Sequence, residues 1–467
     1  MVMEMDGPLD FESENLAFSF SIKKKKRKAI GLDDLITDYY KEKNKVFERD
    51  LARKKSYKGD SDEECDRTGK NKEALLSKFV DECEKQVHEI GTDDEISLWG
   101  LQVFGLQKAR PSPVQPGPDT CALLQSLSDN ELNSLLGMNS EKGLNFLEGL
   151  LLNGWLSRFA LTSGYLEDSI ASWAFYLMLY STSDALQTSA CDLWSTILMS
   201  DANDGQPLVR LDWIPSHSHL KEALDIYGFL RDVSLTNYGV SNLELSESEG
   251  PPQNIRSWVR FLTACCQARN MKTMFLTHEV EYFLGVVINF FLDRKLLCKS
   301  KLLQECLLSV MSFFTDDEWK VSSEKVSDSL ACRIPKDMNC LRIIECIPGS
   351  NTRSKHLRRE IAFRILINCL NVKGKNAEEV LSSLVSIKIR EKDCDFSRIY
   401  IYLVLTDKWL WSNPLLKEKP VLLEMWMLYL RNCSCQVTST DWRPYASKVR
   451  NKASYLIQIY QRHQKQM

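Results

Sequence analysis

Glycine is scarce: of the 20 in this 467-residue chain, none falls in the spacing that cradles a phosphate, so neither a P-loop nor a dinucleotide fingerprint is present. Nucleotide chemistry and a nucleotide cofactor are not expected. Histidine is scarcer still. The six lie at 88, 217, 219, 278, 356 and 463, and none belongs to a His-Glu-x-x-His helix able to hold zinc beside a base. His217 and His219 follow Pro215 and stand beside Ser216 and Ser218, which reads better as a helix entry than as half of a metal site. Cys-x-x-Cys is absent too, and neither Cys265-Cys266 nor Cys433-x-Cys435 has the spacing of a structural zinc centre. No metal, no cofactor, no catalytic residue and no small-molecule substrate are expected.

An excess of one charge is also missing. Sixty basic against 63 acidic side chains leave a net charge of -3, so no protein-wide field draws the chain to DNA or to an anionic membrane, and any such contact must be local. The longest apolar runs, Leu144 to Leu156 and Tyr282 to Leu292, are interrupted and fall short of the ~20 residues a bilayer span needs. The opening Met-Val-Met-Glu-Met-Asp lacks an apolar signal region, and the 15 cysteines are scattered and often sit in apolar runs, as at Cys191, Cys306 and Cys369. Both facts suit small buried hydrophobes in a reducing, intracellular compartment.

What is present is material for burial. With 44% hydrophobic residues the chain is globular, and its length exceeds the ~250 to 300 residues at which one core stops growing, so two or three packed units or stacked repeats are expected. Residues 1–71 are the exception, being rich in Lys, Glu, Asp and Ser, and read as a disordered basic arm. Within the arm Lys23, Lys24, Lys25, Lys26, Arg27 and Lys28 form a run that suits nuclear import, with a nucleic-acid tether and a merely solvated tail as alternatives. Behind it lies one apolar island, Ile30, Leu32, Leu35, Ile36, Tyr39 and Tyr40, able to fold on a partner.

Residues 72–120 read as two helices over Ala74 to Gln107 and then a linker built on Pro111, Pro113, Pro116 and Pro118. From 121 to 467 the helical period dominates, as in Leu144, Leu147, Leu150, Leu151 and Trp155, and in Leu186, Leu193, Trp194, Ile197 and Leu198. Ser128 with Glu131 and Thr315 with Glu318 have capping-box spacing, and Asp316, Asp317 and Glu318 suit the positive end of a helix better than a catalytic carboxylate pair. Tyr400 to Leu405 is β-prone by composition, yet the apolar run continues to Leu410 and favours a buried helix. Two loops, Ser241 to Gln253 and a stretch near Ser322 to Asn339, are expected to break the array. No fixed period recurs, so the fold class is all-α, an irregular α-solenoid or helical-repeat-like array.

Trp155, Trp173, Trp194, Trp409 and Trp426 lie on apolar helical faces and are expected in the core. Trp442 admits both a core and a partner-contact reading; with Tyr445, one turn on at a charged helix entry, it is expected to form a pair of partner-binding aromatics. The one basic cluster outside the arm is Arg353, Lys355, His356, Arg358, Arg359 and Arg364; as a helix it is a solvated face or a contact for DNA phosphate or an acidic partner.

Arg398 to Trp411 (RIYIYLVLTDKWLW), Trp426 to Cys435, Asp441 to Tyr445 (DWRPY), Arg450 to Tyr455 (RNKASY) and the opening run Leu144 to Leu156 together resemble the CANIN domain. That family comprises the non-SMC element six type of subunit. The resemblance implies a helical scaffold in the nucleus, without a reaction of its own, that pairs with an element-five type helical subunit. It also implies that the pair helps load the structural maintenance of chromosomes (SMC) five/six complex on chromatin in DNA repair, and that Gly31 to Leu51 is a short partner motif. The alternatives are a nucleic-acid binder using residues 353–364 and a cytoplasmic helical adaptor.

Overall fold

The computed structural model describes residues 99–117, 119–128, 140–200, 209–231, 250–268, 274–374, 376–411, 413–438 and 440–464. The Lys23–Lys28 run, the island from Leu32 to Tyr40, and Glu131 of the first proposed capping box lie outside them. All the described residues belong to one compact unit, Gly91–Met467.

The unit is an all-α array. Its first half contains α1 (Ala122–Ser128), α2 (Ser140–Leu152), α3 (Trp155–Ser163), α4 (Asp168–Tyr180), α5 (Asp184–Met199), α6 (His217–Ile226), α7 (Ile255–Gln267) and α8 (Thr277–Phe290). The second half contains α9 (Ser300–Phe313), α10 (Asp316–Arg333), α11 (Asn339–Cys346), α12 (Thr352–Leu370), α13 (Ala377–Val385), α14 (Phe396–Leu410), α15 (Leu415–Glu418), α16 (Pro420–Gln436) and α17 (Ala446–Gln464). The described strands are two parallel two-residue pieces, β1 (Tyr165–Leu166) and β2 (Arg210–Leu211).

Packing passes from neighbour to neighbour. Helix α4 lies on α5, α5 on α7, α7 on α9, α9 on α8, α8 on α10, α10 on α12 and α12 on α14; α14 then meets α17, which lies on α16. The reason is visible in each apolar stripe. On α7, Trp258, Val259, Phe261, Leu262 and Cys265 are buried, and the Trp258 indole donates to the Leu220 carbonyl at 3.1 Å. Phe261 meets Phe175 of α4 and Trp194 of α5 edge-on, with centroids 5.3 and 5.6 Å apart, so one aromatic knot ties three helices. Such edge-to-face pairs add about 0.5 to 1.5 kcal/mol each beyond the area they bury.

Helix starts are specified locally. Thr315 accepts from the Glu318 amide at 3.3 Å while the Glu318 carboxylate accepts from the Thr315 amide at 2.9 Å, the capping box expected from their spacing. Asp395 opens α14 by accepting from the Ser397 and Arg398 amides, and the β-prone run Tyr400 to Leu405 is helical within it.

Three expectations are corrected. Residues 99–107, read as helix, form an extended strap that docks into the helical body. Its bonds are tertiary: Leu101 N donates to Leu292 O, Leu230 N to Val103 O, Gly105 N to Gly228 O and Lys108 N to Ile226 O, all at 2.8 to 2.9 Å. Its own Val103 and Phe104 are buried, and Gly228 (φ +78°) comes so close that a β-carbon there would stand 2.5 Å from the Leu106 carbonyl oxygen. Second, the loop expected near Ser322 to Asn339 is mostly the helix α10. Ser322, Ser323 and Ser327 turn inward, Ser322 donating to Glu281 at 2.7 Å and Ser327 to the Ser323 carbonyl at 2.6 Å, so small polar residues fill a close helix–helix contact. Third, Trp155 is not core. It stands at the start of α3 with 54% of its surface exposed and Arg158 over its ring. Trp173, Trp194, Trp409 and Trp426 are buried as expected.

Candidate partner interface

The residues expected to meet a partner lie where α16 hands over to α17. The connecting turn is clamped by Arg443. Its guanidinium pairs with Asp441 at 2.8 and 3.0 Å, donates to the Glu391 carbonyl at 2.8 Å, and lies 4.4 Å from the Phe396 ring centre. The same Asp441 carboxylate accepts from the Arg443 amide at 3.2 Å, and the guanidinium holds it below the usual carboxylate range. The turn is therefore fixed at both ends, and Trp442, between the clamp residues, projects outward with 85% of its surface exposed.

Trp442 and Tyr445 do not share a helix face. Helix α17 begins at Ala446, and Tyr445 precedes it in the left-handed region (φ +65°). That turn sends its ring back against Tyr400, 5.6 Å away, with Lys448 Nζ 4.8 Å above it. Sequence spacing suggested a paired anchor; the backbone separates one displayed ring from one ring that braces it. Burial against Tyr400 raises the Tyr445 phenol above its ordinary value.

The cluster on α12 is not a free cationic stripe. Arg353 donates to the Met311 carbonyl at 2.8 Å and pairs with Asp316 at 2.7 Å, tying α12 to α9 and α10. Arg358 donates to the Ile347 carbonyl, and desolvation lowers its guanidinium's affinity for the proton. Arg364 is buried among Glu324, Asp328 and Glu360 at 3.3 to 3.7 Å. Lys355 is exposed and Arg359 half-buried, and they alone of the cluster's lysine and arginine side chains make no ion pair or hydrogen bond among the described residues. The spacing of the cluster was legible; the acidic partners, which come from other helices, were not.

A different basic surface, unmarked in the sequence because its parts are far apart, lies across α5, α7 and α9. Arg256, Arg260, Lys299 and Lys301 line an open groove of about 690 Å³ together with Asp192 and Glu305. Asp192 neutralises Arg260 at 2.7 Å, leaving cations in excess.

The histidine pair begins α6. His219 Nδ1 accepts from the Ser216 amide at 3.0 Å, closing a capping box. His217 lies 3.5 Å from Glu279 against Tyr282 and Phe283, and its burial outweighs that carboxylate and holds the imidazole below its ordinary range. No group of three or more His, Cys, Asp or Glu among the described residues is placed to hold a metal. The cysteines among them are all free thiols, and burial pushes Cys191 up to about 11 and Cys306, Cys346 and Cys433 up to about 12, values unsuited to a nucleophile. No described helix is long and apolar enough to cross a membrane. No family model matches the chain, and no curated protein matches it.

Proposed function

We propose that this chain is a non-catalytic scaffold subunit that pairs with a second helical subunit and helps load or regulate the SMC five/six complex on chromatin during DNA repair. The observation that carries the reading is Trp442, a large aromatic side chain held out to solvent by the Arg443 clamp. With the backbone of the turn already fixed by the clamp, less conformational freedom is lost when the aromatic ring is buried by a partner, and large aromatic side chains dominate interface energies. The CANIN-like runs flank this turn on α14, α16 and α17, and the Lys23–Lys28 run supports entry into the nucleus. The chain would act there by joining proteins, with the arm residues Leu32, Leu35, Ile36, Tyr39 and Tyr40 as a further contact.

Affinity capture of the full chain followed by mass spectrometry tests this. Recovery of SMC subunits and a helical partner with the wild type, and their loss with Trp442→Ala, is the expected result; capture without any SMC subunit would remove the assignment. Alanine in place of Lys23 to Lys28 should shift the protein out of the nucleus without changing its Tm. A second reading, contact with nucleic-acid phosphates, is favoured at the Arg256, Arg260, Lys299 and Lys301 groove rather than on α12, whose cations are largely committed within the fold.

A further inference from the structure

Helices α8 and α10 pack together, and between them lies a pocket of about 410 Å³, closed at one edge by the chain leaving α6. Phe229, Val286, Val326 and Leu330 supply its apolar surface, and polar and charged side chains of α8 and α10 line the rest. Along α8, Tyr282, Gly285, Val286 and Asn289 follow at three and four spacing and so share the face turned to it. Gly285 has no atom within 4 Å of where a side chain would begin, and the missing side chain is part of what keeps the pocket open.

One buried polar group in this wall lacks a hydrogen-bond partner among the described residues. It is the Tyr282 hydroxyl. The carboxamide of Asn289, a residue 4% exposed, lines the same wall. An unpaired buried hydroxyl is costly, typically about 1 to 3 kcal/mol, so the Tyr282 group points to a ligand that satisfies it. At the rim Arg231 is neutralised by Asp225 at 2.6 Å and Lys325 faces Glu281 at 3.6 Å, whereas the exposed Arg333 has no ion pair among the described residues.

We propose that this pocket is a peptide-binding site, taking one large apolar side chain of a partner whose neighbouring residue is Asp or Glu. A carboxamide offers one donor group and one acceptor, the complement of a peptide bond's carbonyl and N–H. The volume and the apolar surface of Phe229, Val286, Val326 and Leu330 suit one apolar side chain, and the polar residues around them suit the peptide that carries it. Arg333, the rim cation without a carboxylate, receives the acidic neighbour. The inference rests on the scaffold reading and gives it a second contact, chemically distinct from the Trp442 turn.

A displayed library of random 12-residue peptides, panned against the full chain, tests it. Expected is enrichment of an aromatic or long aliphatic residue beside Asp or Glu, with affinity for the selected peptides falling about tenfold or more in Gly285→Leu, which fills the pocket, and in Arg333→Glu, which reverses the rim. Arg333 is exposed, so its variant reports on binding even if Gly285→Leu disturbs packing. No enrichment, enrichment without an acidic residue, equal binding by Arg333→Glu, or binding of N-acetyl-tryptophan as tight as that of the peptides would overturn the proposal. Any of these outcomes with capture through Trp442 intact would leave the scaffold reading standing.

Discussion

The hydroxyl of Tyr460 on α17 donates to Oδ1 of Asp407 on α14 at 3.3 Å, within a core where the Tyr460 ring also meets Trp411 and Trp426 edge-on at 5.7 and 6.2 Å. Burial holds the Asp407 carboxyl above its ordinary value of 3.8, and Lys408, Lys452 and the Tyr460 bond offset this only in part. A carboxyl whose folded value is raised contributes stability that is complete below its unfolded value and lost as pH rises through the folded one. At neutral pH the ionised group therefore costs stability. Asp407→Asn, which keeps an acceptor for Tyr460, should raise the Tm at pH 7, with the difference shrinking as pH falls toward 4. Thermal melts of both proteins across that range check it, and a lower Tm for the variant at pH 7 would contradict it.

Trp409 stacks on Phe363 with centroids 4.5 Å apart, joining α14 to α12. Trp409→Ala should cost about 3 to 5 kcal/mol, the usual penalty for emptying a buried aromatic site. Trp155→Ala, at an exposed position, should stay within about 0.5 kcal/mol. Denaturant midpoints of the two variants decide between a tryptophan in the core and one on the surface.

Gly228→Ala should detach the strap. The left-handed backbone and the Leu106 carbonyl both oppose a β-carbon, and a loss of about 1 to 3 kcal/mol is expected for such strain. Hydrogen exchange should show faster loss of protection at the Gly105 and Leu230 amides than at those of α14.

Arg443→Ala should leave the helices intact while freeing the Trp442 turn. Partner capture should then weaken without being abolished, since the ring remains but its ordering must occur on binding. Trp442→Ala should abolish it at unchanged Tm. If Arg443→Ala bound as well as the wild type, the clamp would have no part in presentation.

Arg256→Glu with Lys301→Glu should reduce retention of duplex DNA at low salt, whereas Arg353→Glu should lower the Tm, because that guanidinium bonds the Met311 carbonyl. Anisotropy with a labelled duplex at stepped salt separates these effects, since phosphate contacts weaken as counterions compete.

The helices were legible because a stripe at three and four spacing is a local property, and so was the cap at Thr315. The strap was not, because its bonds go to residues more than a hundred positions away and its own residues carry no strand alternation. Inward serines on α10 hid a helix for a related reason: polar composition reads as solvent exposure unless the facing helix is known. For the Trp442 turn, spacing showed two aromatics one turn apart, while the left-handed backbone at Tyr445 that parts them left no mark. In the α8–α10 pocket only Gly285, alone in an apolar helix, was a signal.

Neighbour-to-neighbour packing has a mechanical consequence. A load applied at one end of the α4-to-α17 succession is carried through each interface in turn, as in a chain of stiff links. A rotation of a few degrees at every interface accumulates along the row, and the softest joint sets the compliance of the whole. Arg353, which ties α12 to both α9 and α10, spans more than one such joint and acts as a local brace.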